Sequence, residues 1–229
     1  MTGLTAEDLA VVLLSLKVAT VATLVALPLA FAAAYALARG KFPGRSLLDA
    51  AVHLPLVLPP VATGYALLLL LGRQGLLGEP LSRLGIVLAF DWTGAALAAA
   101  VMAFPLMVRP IRLSIEAAPP HADQAARTLG AGWWSRLARV TLPLSLPGMA
   151  AGAVLGFAKA LGEFGATITF AAAIPGVSLT LPSAIYQAIQ TPGAEQRAAA
   201  LCLLAALIAV AAVMSADVLT RWALRRVGK

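Results

Sequence analysis

The sequence is poor in charge, since only 12% of its 229 residues are Asp, Glu, Lys or Arg. Soluble domains carry about 25% charged residues, so this composition excludes an ordinary soluble domain. Apolar residues make up 61% of the chain, and they fall in long runs that give a mean hydropathy of +0.90. We therefore predict an all-α polytopic membrane protein.

Residues that carry chemistry are also scarce. The single cysteine, Cys202, lies in an apolar run and cannot form an intrachain disulfide. The two histidines, His53 and His121, are far apart, and no Cys/His cluster indicates a metal site. None of the four lysines follows the glycines of a G-x-x-x-x-G-K-[ST] phosphate loop. We predict no catalytic residue, no metal site, and no cofactor bound directly by this chain.

The charge that is present is mostly positive, with 17 Lys and Arg against 10 Asp and Glu. Such a balance can indicate a nucleic-acid partner, but here the basic residues cluster beside apolar spans, which is the positive-inside pattern of membrane proteins. The clusters are Arg39, Lys41 and Arg45; Arg109, Arg112, Arg127, Arg136 and Arg139; and Arg221, Arg225, Arg226 and Lys229. The pattern predicts an outer N-terminus, a cytoplasmic C-terminus and no nucleic-acid partner.

The apolar runs predict about five transmembrane helices, with six as the alternative, because a bilayer needs about 20 residues per helix. The predicted spans are residues 9–38, 47–71, 93–108 (or to 113), 146–173 and 198–218. Residues 174–197 are expected outside, with a short amphipathic helix over 183–190. We treat residues 1–229 as a single transmembrane domain.

A polar interval at residues 114–143 separates the third and fourth predicted spans. It reads Gln124-Ala125-Ala126, three residues, Gly130, nine residues, then Val140-Thr141-Leu142-Pro143. This spacing resembles the cytoplasmic docking loop of ABC-importer permeases, which has Glu-Ala-Ala, three residues, Gly, nine residues, Ile, any residue, then Leu-Pro. Gln124 and Val140 depart from the usual Glu and Ile. The alternative is an ordinary cytoplasmic loop with an incidental helix.

The residues of this loop suit a short helix that docks in a cleft of a soluble partner. Two small alanines favour helix and close approach, Asp123 is placed to cap the helix, and Gly130 can adopt positive φ and end it. Tryptophans then supply an apolar face. The predicted contacts with an ATPase subunit are Gln124, Ala125, Ala126, Leu129, Gly130, Trp133, Trp134, Leu142 and Pro143.

The fourth predicted span carries two opposite charges, Lys159 and Glu163, four residues apart. A lone charge is costly in lipid, so a pair on one helix face is the cheaper arrangement. We favour a structural intramembrane pair, with a substrate contact as the alternative. Gly148, Gly152 and Gly156 form a small-residue row in the same span, which allows close helix packing.

The second predicted span contains Pro55, Pro59 and Pro60, which remove several helix hydrogen bonds. Broken helices are tolerated in membranes only where protein or a water-filled cavity covers them. Two interpretations are open at this point, a broken helix beside a translocation pathway and a simple packing kink.

The chain as a whole closely resembles the membrane subunit of bacterial molybdate ABC importers, in the molybdate/sulfate group of binding-protein-dependent permeases. The resemblance is carried by residues 53–60, 124–132, 161–167, 174–176 and 190–193. Ala173 and Ala194 depart from the family, which has asparagine and glycine there, so we do not expect the family's binding-protein contacts at those two positions.

This resemblance implies a type I ABC importer permease fold in the bacterial inner membrane, assembled as a homodimer with a pore on its two-fold axis. It also implies a cytoplasmic ATPase subunit that carries ATP and Mg, and a periplasmic molybdate-binding protein. A pathway must release its anion, so hydroxyl groups suit it better than a buried arginine. Thr63 and Thr167 are the candidates for lining it.

Three alternatives remain beside a molybdate permease. Sulfate or tungstate is the closest, because the choice of molybdate depends on overall resemblance alone. An ion-coupled secondary transporter would need intramembrane acids on an ion path, and only Glu163 qualifies. A membrane-embedded enzyme would need a catalytic constellation that the sequence does not offer.

Overall fold

The structure, a computed structural model, describes residues 5–227. Eleven α-helices lie in this part of the chain, which confirms the all-α prediction. They are α1 (Ala6–Arg39), α2 (Arg45–Val57), α3 (Pro60–Leu71), α4 (Gly78–Arg83), α5 (Trp92–Ala117), α6 (Pro120–Thr128), α7 (Trp133–Arg136), α8 (Leu142–Leu161), α9 (Gly165–Ala171), α10 (Leu181–Gln190) and α11 (Glu195–Val227). The predicted domain limits of 1–229 include terminal positions, among them Lys229, that lie outside the described residues.

Four helical stretches of the described chain are long and apolar enough to cross a membrane. They are α1, α5, the continuous helix Trp133–Leu161, and the Glu195–Ala212 part of α11. Helices α2 and α3 make a fifth candidate if the bent pair counts as one span. The structure therefore agrees with the prediction of about five spans.

The centre of the bundle is the pair α1 and α5, whose facing sides consist mostly of small residues. Their buried alanines recur every three or four residues, which places them on one face of each helix. These alanines are Ala19, Ala22, Ala26, Ala30 and Ala34 on α1, and Ala95, Ala96, Ala99, Ala100 and Ala103 on α5. Small side chains allow close helix approach in a membrane, so this pair forms a compact support for the other helices.

The glycine row of α8 packs on the C-terminal half of α5. A Cβ atom on Gly148 would lie 2.5 Å from the Pro110 carbonyl oxygen, and one on Gly152 would lie 3.0 Å from the Met107 carbonyl oxygen. Gly156 faces the Met107 side chain. The predicted role of this row in close helix packing is confirmed.

The second predicted span is broken, as its prolines indicate. α2 ends at Val57, α3 begins at Pro60, and the two helices are bent by 114°. Pro60 occupies the first position of α3, where its missing N–H costs no helix hydrogen bond. The chain thus changes direction inside an apolar segment.

The fourth predicted span is wrong as a single helix over residues 146–173. α8 begins earlier, at Leu142, and ends at Leu161; a separate short helix, α9, starts at Gly165. The physical reason is the Glu163 carboxylate, whose Oε1 accepts the Ala166 N–H at 3.0 Å and so caps the start of α9. A hydropathy pattern cannot show such a break, because both helices are apolar.

Smaller differences concern helix ends. α5 continues past both proposed limits of the third span to Ala117, although Pro105 and Pro110 lie inside it. α11 begins at Glu195, three residues before the predicted start. The short helix predicted over 183–190 is confirmed as α10, which begins two residues earlier at Leu181, and its position outside stays a prediction. Helix α4 was not predicted.

The ends of α1, α10 and α11 on the predicted outer side are tied together by polar contacts. Arg197 donates from Nε and Nη2 to Asp8 Oδ1 at 2.9 and 2.7 Å. The Leu181 N–H, at the start of α10, donates to Ser15 Oγ at 2.6 Å. Lys17 on α1 places its ammonium 3.5 Å from the centre of the Trp92 ring, at the start of α5. These contacts connect the helices at the predicted outer end of the bundle.

Candidate functional site

The predicted docking loop folds as two short helices, α6 and α7, joined by a glycine turn. Gly130 has a φ of +77°. The Ala131 N–H donates to the Ala126 carbonyl at 2.9 Å, and the Gly130 N–H donates to the Arg127 carbonyl at 3.0 Å. This is the hydrogen-bond pattern of a helix that ends on a left-handed residue. The prediction that Gly130 adopts positive φ and ends the first helix is confirmed.

The prediction that Asp123 caps this helix is wrong. α6 already begins at Pro120, so Asp123 lies inside its first turn rather than before it. Its carboxylate instead lies 3.3 Å from Nε of Arg136, at the end of α7. This charge contact joins the two short helices, without the geometry of a hydrogen bond.

The tip of the loop exposes large apolar side chains. Leu129 is 87% exposed, Trp134 is 75% exposed and Trp133 is 46% exposed. Trp133 is anchored by edge contacts with Tyr35 of α1, at 6.3 Å between ring centres, and with Trp134, at 4.4 Å. The predicted ATPase-contact residues divide into two groups: Gln124, Ala125, Leu129, Gly130, Trp133, Trp134 and Leu142 are exposed, and Ala126 and Pro143 are partly buried. Large exposed apolar side chains indicate an interaction surface.

The loop is continuous with a membrane span. A π-helical turn over Leu137–Thr141 joins α7 to α8 without a loop, so that Trp133–Leu161 forms one helix of 29 residues. Single π-turns inside α-helices are frequent at functional sites. A force applied to α7 would therefore act directly on α8.

A polar network near the C-terminal end of α5 connects α5 to the broken helix. Arg112 donates from Nη1 to Asp49 Oδ1 of α2 at 3.1 Å and from Nε to Glu116 Oε1 at 2.8 Å. The i, i+4 spacing of Arg112 and Glu116 is a sequence signal for their contact, whereas no sequence pattern indicates the contact of Arg112 with Asp49, 63 positions away. No group of three or more His, Cys, Asp or Glu in the described chain is arranged to hold a metal ion.

The predicted pair in the fourth span forms, with Lys159 Nζ 2.6 Å from Glu163 Oε2. The two side chains differ in exposure, at 29% for Lys159 and 1% for Glu163. Because Glu163 also caps α9, the pair links the end of α8 to the start of the next helix.

The two threonines predicted to line a pathway are both buried within the single chain. Thr167 Oγ1 donates to the Glu163 and Phe164 carbonyls at 3.1 and 2.9 Å. Thr63 Oγ1 has no hydrogen-bond partner among the described residues, although the side chain is buried. Both lie near the junction of α3 and α9, where Gly64 packs against Ala166. Their role in a pathway stays a prediction.

Comparison with known proteins gives a consistent result over nearly the whole chain. The model of the binding-protein-dependent transport system inner membrane component family matches residues 26–229. The molybdenum transport system permease protein ModB of Escherichia coli K12 is 52% identical, covering 99% of both chains. ModB of Haemophilus influenzae is 48% identical over 97% of both. The sulfate transport system permease protein CysW of Synechococcus elongatus is 42% identical over 69% of this chain and 55% of its own.

The fold also has a counterpart among solved structures. A bacterial ABC transporter that imports the acidic polysaccharide alginate superposes with a TM-score of 0.74, covering 95% of this chain and 80% of that chain. The sequence identity is 18%, so the likeness concerns the fold alone. It confirms the prediction of an ABC importer permease fold.

Proposed function

Because the chain belongs to the binding-protein-dependent transport system inner membrane component family, we propose that it forms, as a homodimer, the transmembrane pathway of an ATP-driven molybdate importer. Molybdate is supported by the two ModB relatives, which are about as long as this chain and nearly half or more identical to it. The sulfate permease relative matches a smaller part of the chain, so sulfate is the second candidate.

The single observation that carries the proposal is the exposed apolar tip of the predicted docking loop. Leu129 and Trp134 are exposed apolar side chains on a loop whose helices are joined by the Asp123–Arg136 pair and end on Gly130. In the proposed complex, each loop inserts into a cleft of a cytoplasmic ATPase subunit, which carries ATP and Mg. The positive-inside pattern supports a cytoplasmic position for this loop, with the N-terminus outside and the C-terminus inside.

The proposed cycle uses the continuous helix from the loop into the membrane. ATP binding closes the two ATPase subunits and draws the docking helices together, and the movement passes along Trp133–Leu161 to open the pathway outward. A periplasmic binding protein delivers the anion on the outer side, near α10. Hydrolysis and product release return the pathway to its inward-facing state. The chain itself supplies no group for ATP chemistry in this scheme.

The proposal is tested by purifying the chain with its ATPase subunit and binding protein and measuring anion-dependent ATP hydrolysis in liposomes. We expect molybdate with the binding protein to stimulate hydrolysis and to accumulate in the vesicles. Stimulation by sulfate alone would replace molybdate with sulfate. Uptake driven by an ion gradient without the ATPase subunit would contradict the proposal.

The docking assignment is tested by Leu129→Asp, which places a charge on the exposed tip of the loop. We expect the variant to insert and fold, because Leu129 has little contact with its own chain, but to lose the ATPase subunit in affinity purification. The matched control is Leu84→Asp, since Leu84 is 76% exposed and lies on the predicted outer side. Equal recovery of the ATPase subunit with both variants would contradict the assignment.

A further inference from the structure

Lys159 lies deep in the predicted membrane region. Gly148 packs against Ser114, two residues after Arg112, which belongs to the basic cluster that the positive-inside pattern assigns to the cytoplasmic boundary. Lys159 follows Gly148 by eleven residues on the same helix, which is about 16 Å at about 1.5 Å per residue. The hydrocarbon core is about 30 Å thick, so a bilayer whose cytoplasmic boundary lies at the Gly148–Ser114 contact has the Lys159 ammonium near its middle.

The carboxylate and the ammonium of the Lys159–Glu163 pair are satisfied to different degrees. Both oxygens of Glu163 accept hydrogen bonds, Oε2 from Lys159 at 2.6 Å and Oε1 from the Ala166 N–H at 3.0 Å. An ammonium has three N–H donors, and the hydrogen bonds among the described residues use one of them. The acid is thus enclosed, with a side-chain exposure of 1%, while the lysine, at 29%, keeps donors on an open side.

The open side of α8 is the side that carries Lys159. Leu155, one turn earlier on the same side, is 49% exposed. A charged group at this depth almost always faces protein or a water-filled cavity rather than lipid. In the homodimer proposed above, a water-filled cavity between the two copies meets this requirement.

From this geometry we propose that Lys159 contacts the oxyanion in the translocation pathway, and that Glu163 positions its ammonium and balances its charge. The inference depends on the proposed importer function. Each copy presents an ammonium that already has a carboxylate partner, so the pair is neutral overall. A neutral pair attracts a tetrahedral dianion less than a free cation does, which suits a pathway that must release its cargo.

The first experiment separates this role from simple charge neutralisation. The double variant Lys159→Met/Glu163→Gln removes both charges while keeping the side-chain sizes, so no unpaired charge remains buried. If Lys159 contacts the anion, we expect the maximal molybdate uptake by the reconstituted complex to fall about tenfold, as for the loss of a charge-assisted hydrogen bond. Binding-protein-stimulated ATP hydrolysis and the unfolding temperature should stay near wild type.

Lys159→Arg is the matched variant that keeps the charge, and we expect it to retain most of the uptake. Wild-type uptake by the Lys159→Met/Glu163→Gln variant would overturn the inference, because a purely structural pair can be replaced by a neutral one. In that case, a wild-type complex that imports molybdate leaves the proposed function intact. If the wild-type complex takes up no molybdate, both the proposed function and the role of Lys159 are rejected.

The second experiment measures water access at this position. In a Cys202→Ser background, which removes the single cysteine, Lys159→Cys/Glu163→Gln leaves no unpaired buried carboxylate and should react with a membrane-impermeant thiol reagent during turnover. Leu207→Cys is the control, because Leu207 is 59% exposed on the apolar surface of α11 and should face lipid. Failure of the Lys159→Cys/Glu163→Gln variant, at wild-type unfolding temperature, to react beyond this control would also overturn the inference.

Discussion

At the scale of single residues, two glycines of the predicted docking loop show that backbone conformation, and not only close contacts, can require glycine at a position. Gly130 and Gly132 both have open space where a Cβ atom would be. Only Gly130 has positive φ, at +77°, whereas Gly132 has a φ of −64°. A side chain at Gly130 therefore carries a conformational cost of about 1–2 kcal/mol, and one at Gly132 carries none.

We predict that Gly130→Ala weakens recovery of the ATPase subunit by affinity purification, because the strain disturbs the angle between α6 and α7. Gly132→Ala should behave as wild type. Thermal unfolding of the membrane domain should differ little between the two variants, since the loop lies outside the helix bundle. The prediction is wrong if both variants recover the ATPase subunit equally.

At the scale of helices, the contact between α5 and α8 depends on the absence of side chains at fixed positions. Gly148 lies so close to α5 that a Cβ atom would meet both the Pro110 carbonyl oxygen and Ser114 Cβ at 2.5 Å. Gly162, at the end of α8, has the Ala158 carbonyl oxygen at 3.7 Å as its nearest neighbour. The same substitution at the two glycines therefore distinguishes packing from helix propensity.

We predict that Gly148→Ala lowers the free energy of unfolding by about 1–3 kcal/mol through overpacking. Gly162→Ala should leave it nearly unchanged. The measurement is reversible unfolding of the purified domain in mixed micelles, followed by helical circular dichroism. Equal destabilisation by both changes would mean that the glycine row does not set the distance between α5 and α8.

At the scale of the whole molecule, the N-terminal ends of α1 and α11 are joined by an ion pair between Arg197 and the buried Asp8. Asp8 is 2% exposed, and its second carboxylate oxygen, Oδ2, accepts from the Thr5 N–H and hydroxyl at 2.9 and 2.8 Å. Arg197 supplies both donors to Oδ1. The contact joins residues 189 positions apart, so it closes the bundle across nearly the full chain.

We predict that Arg197→Gln lowers the unfolding free energy by about 1–2 kcal/mol, because it leaves a buried carboxylate with fewer donors; the half-exposed arginine limits the loss. The double variant Asp8→Asn/Arg197→Gln should recover part of the lost unfolding free energy, because no unpaired carboxylate then remains buried. The control is Arg83→Gln, which breaks the exposed Arg83–Glu79 pair on α4 and should have little effect. Equal unfolding midpoints for Arg197→Gln and Arg83→Gln would contradict the prediction.

At this same scale, the sequence was most informative where a local property determines the structure. Prolines predicted the break between α2 and α3, glycine predicted the turn at residue 130, and hydropathy predicted about five spans. The boundary between α8 and α9 was not predicted, because it depends on one side chain, Glu163, that caps a helix within an apolar segment. The Arg112–Asp49 and Arg197–Asp8 contacts were not predicted either, because their residues are 63 and 189 positions apart and leave no local sequence pattern.

The π-turn at Leu137–Thr141 makes a single rod of the segment from Trp133 to Leu161. A displacement of Trp133 is therefore passed along this helix towards residue 159, about 39 Å away at about 1.5 Å per residue. The stiffness of helical hydrogen bonds thereby becomes a means of carrying mechanical work from the proposed docking surface to the level of the Lys159–Glu163 pair.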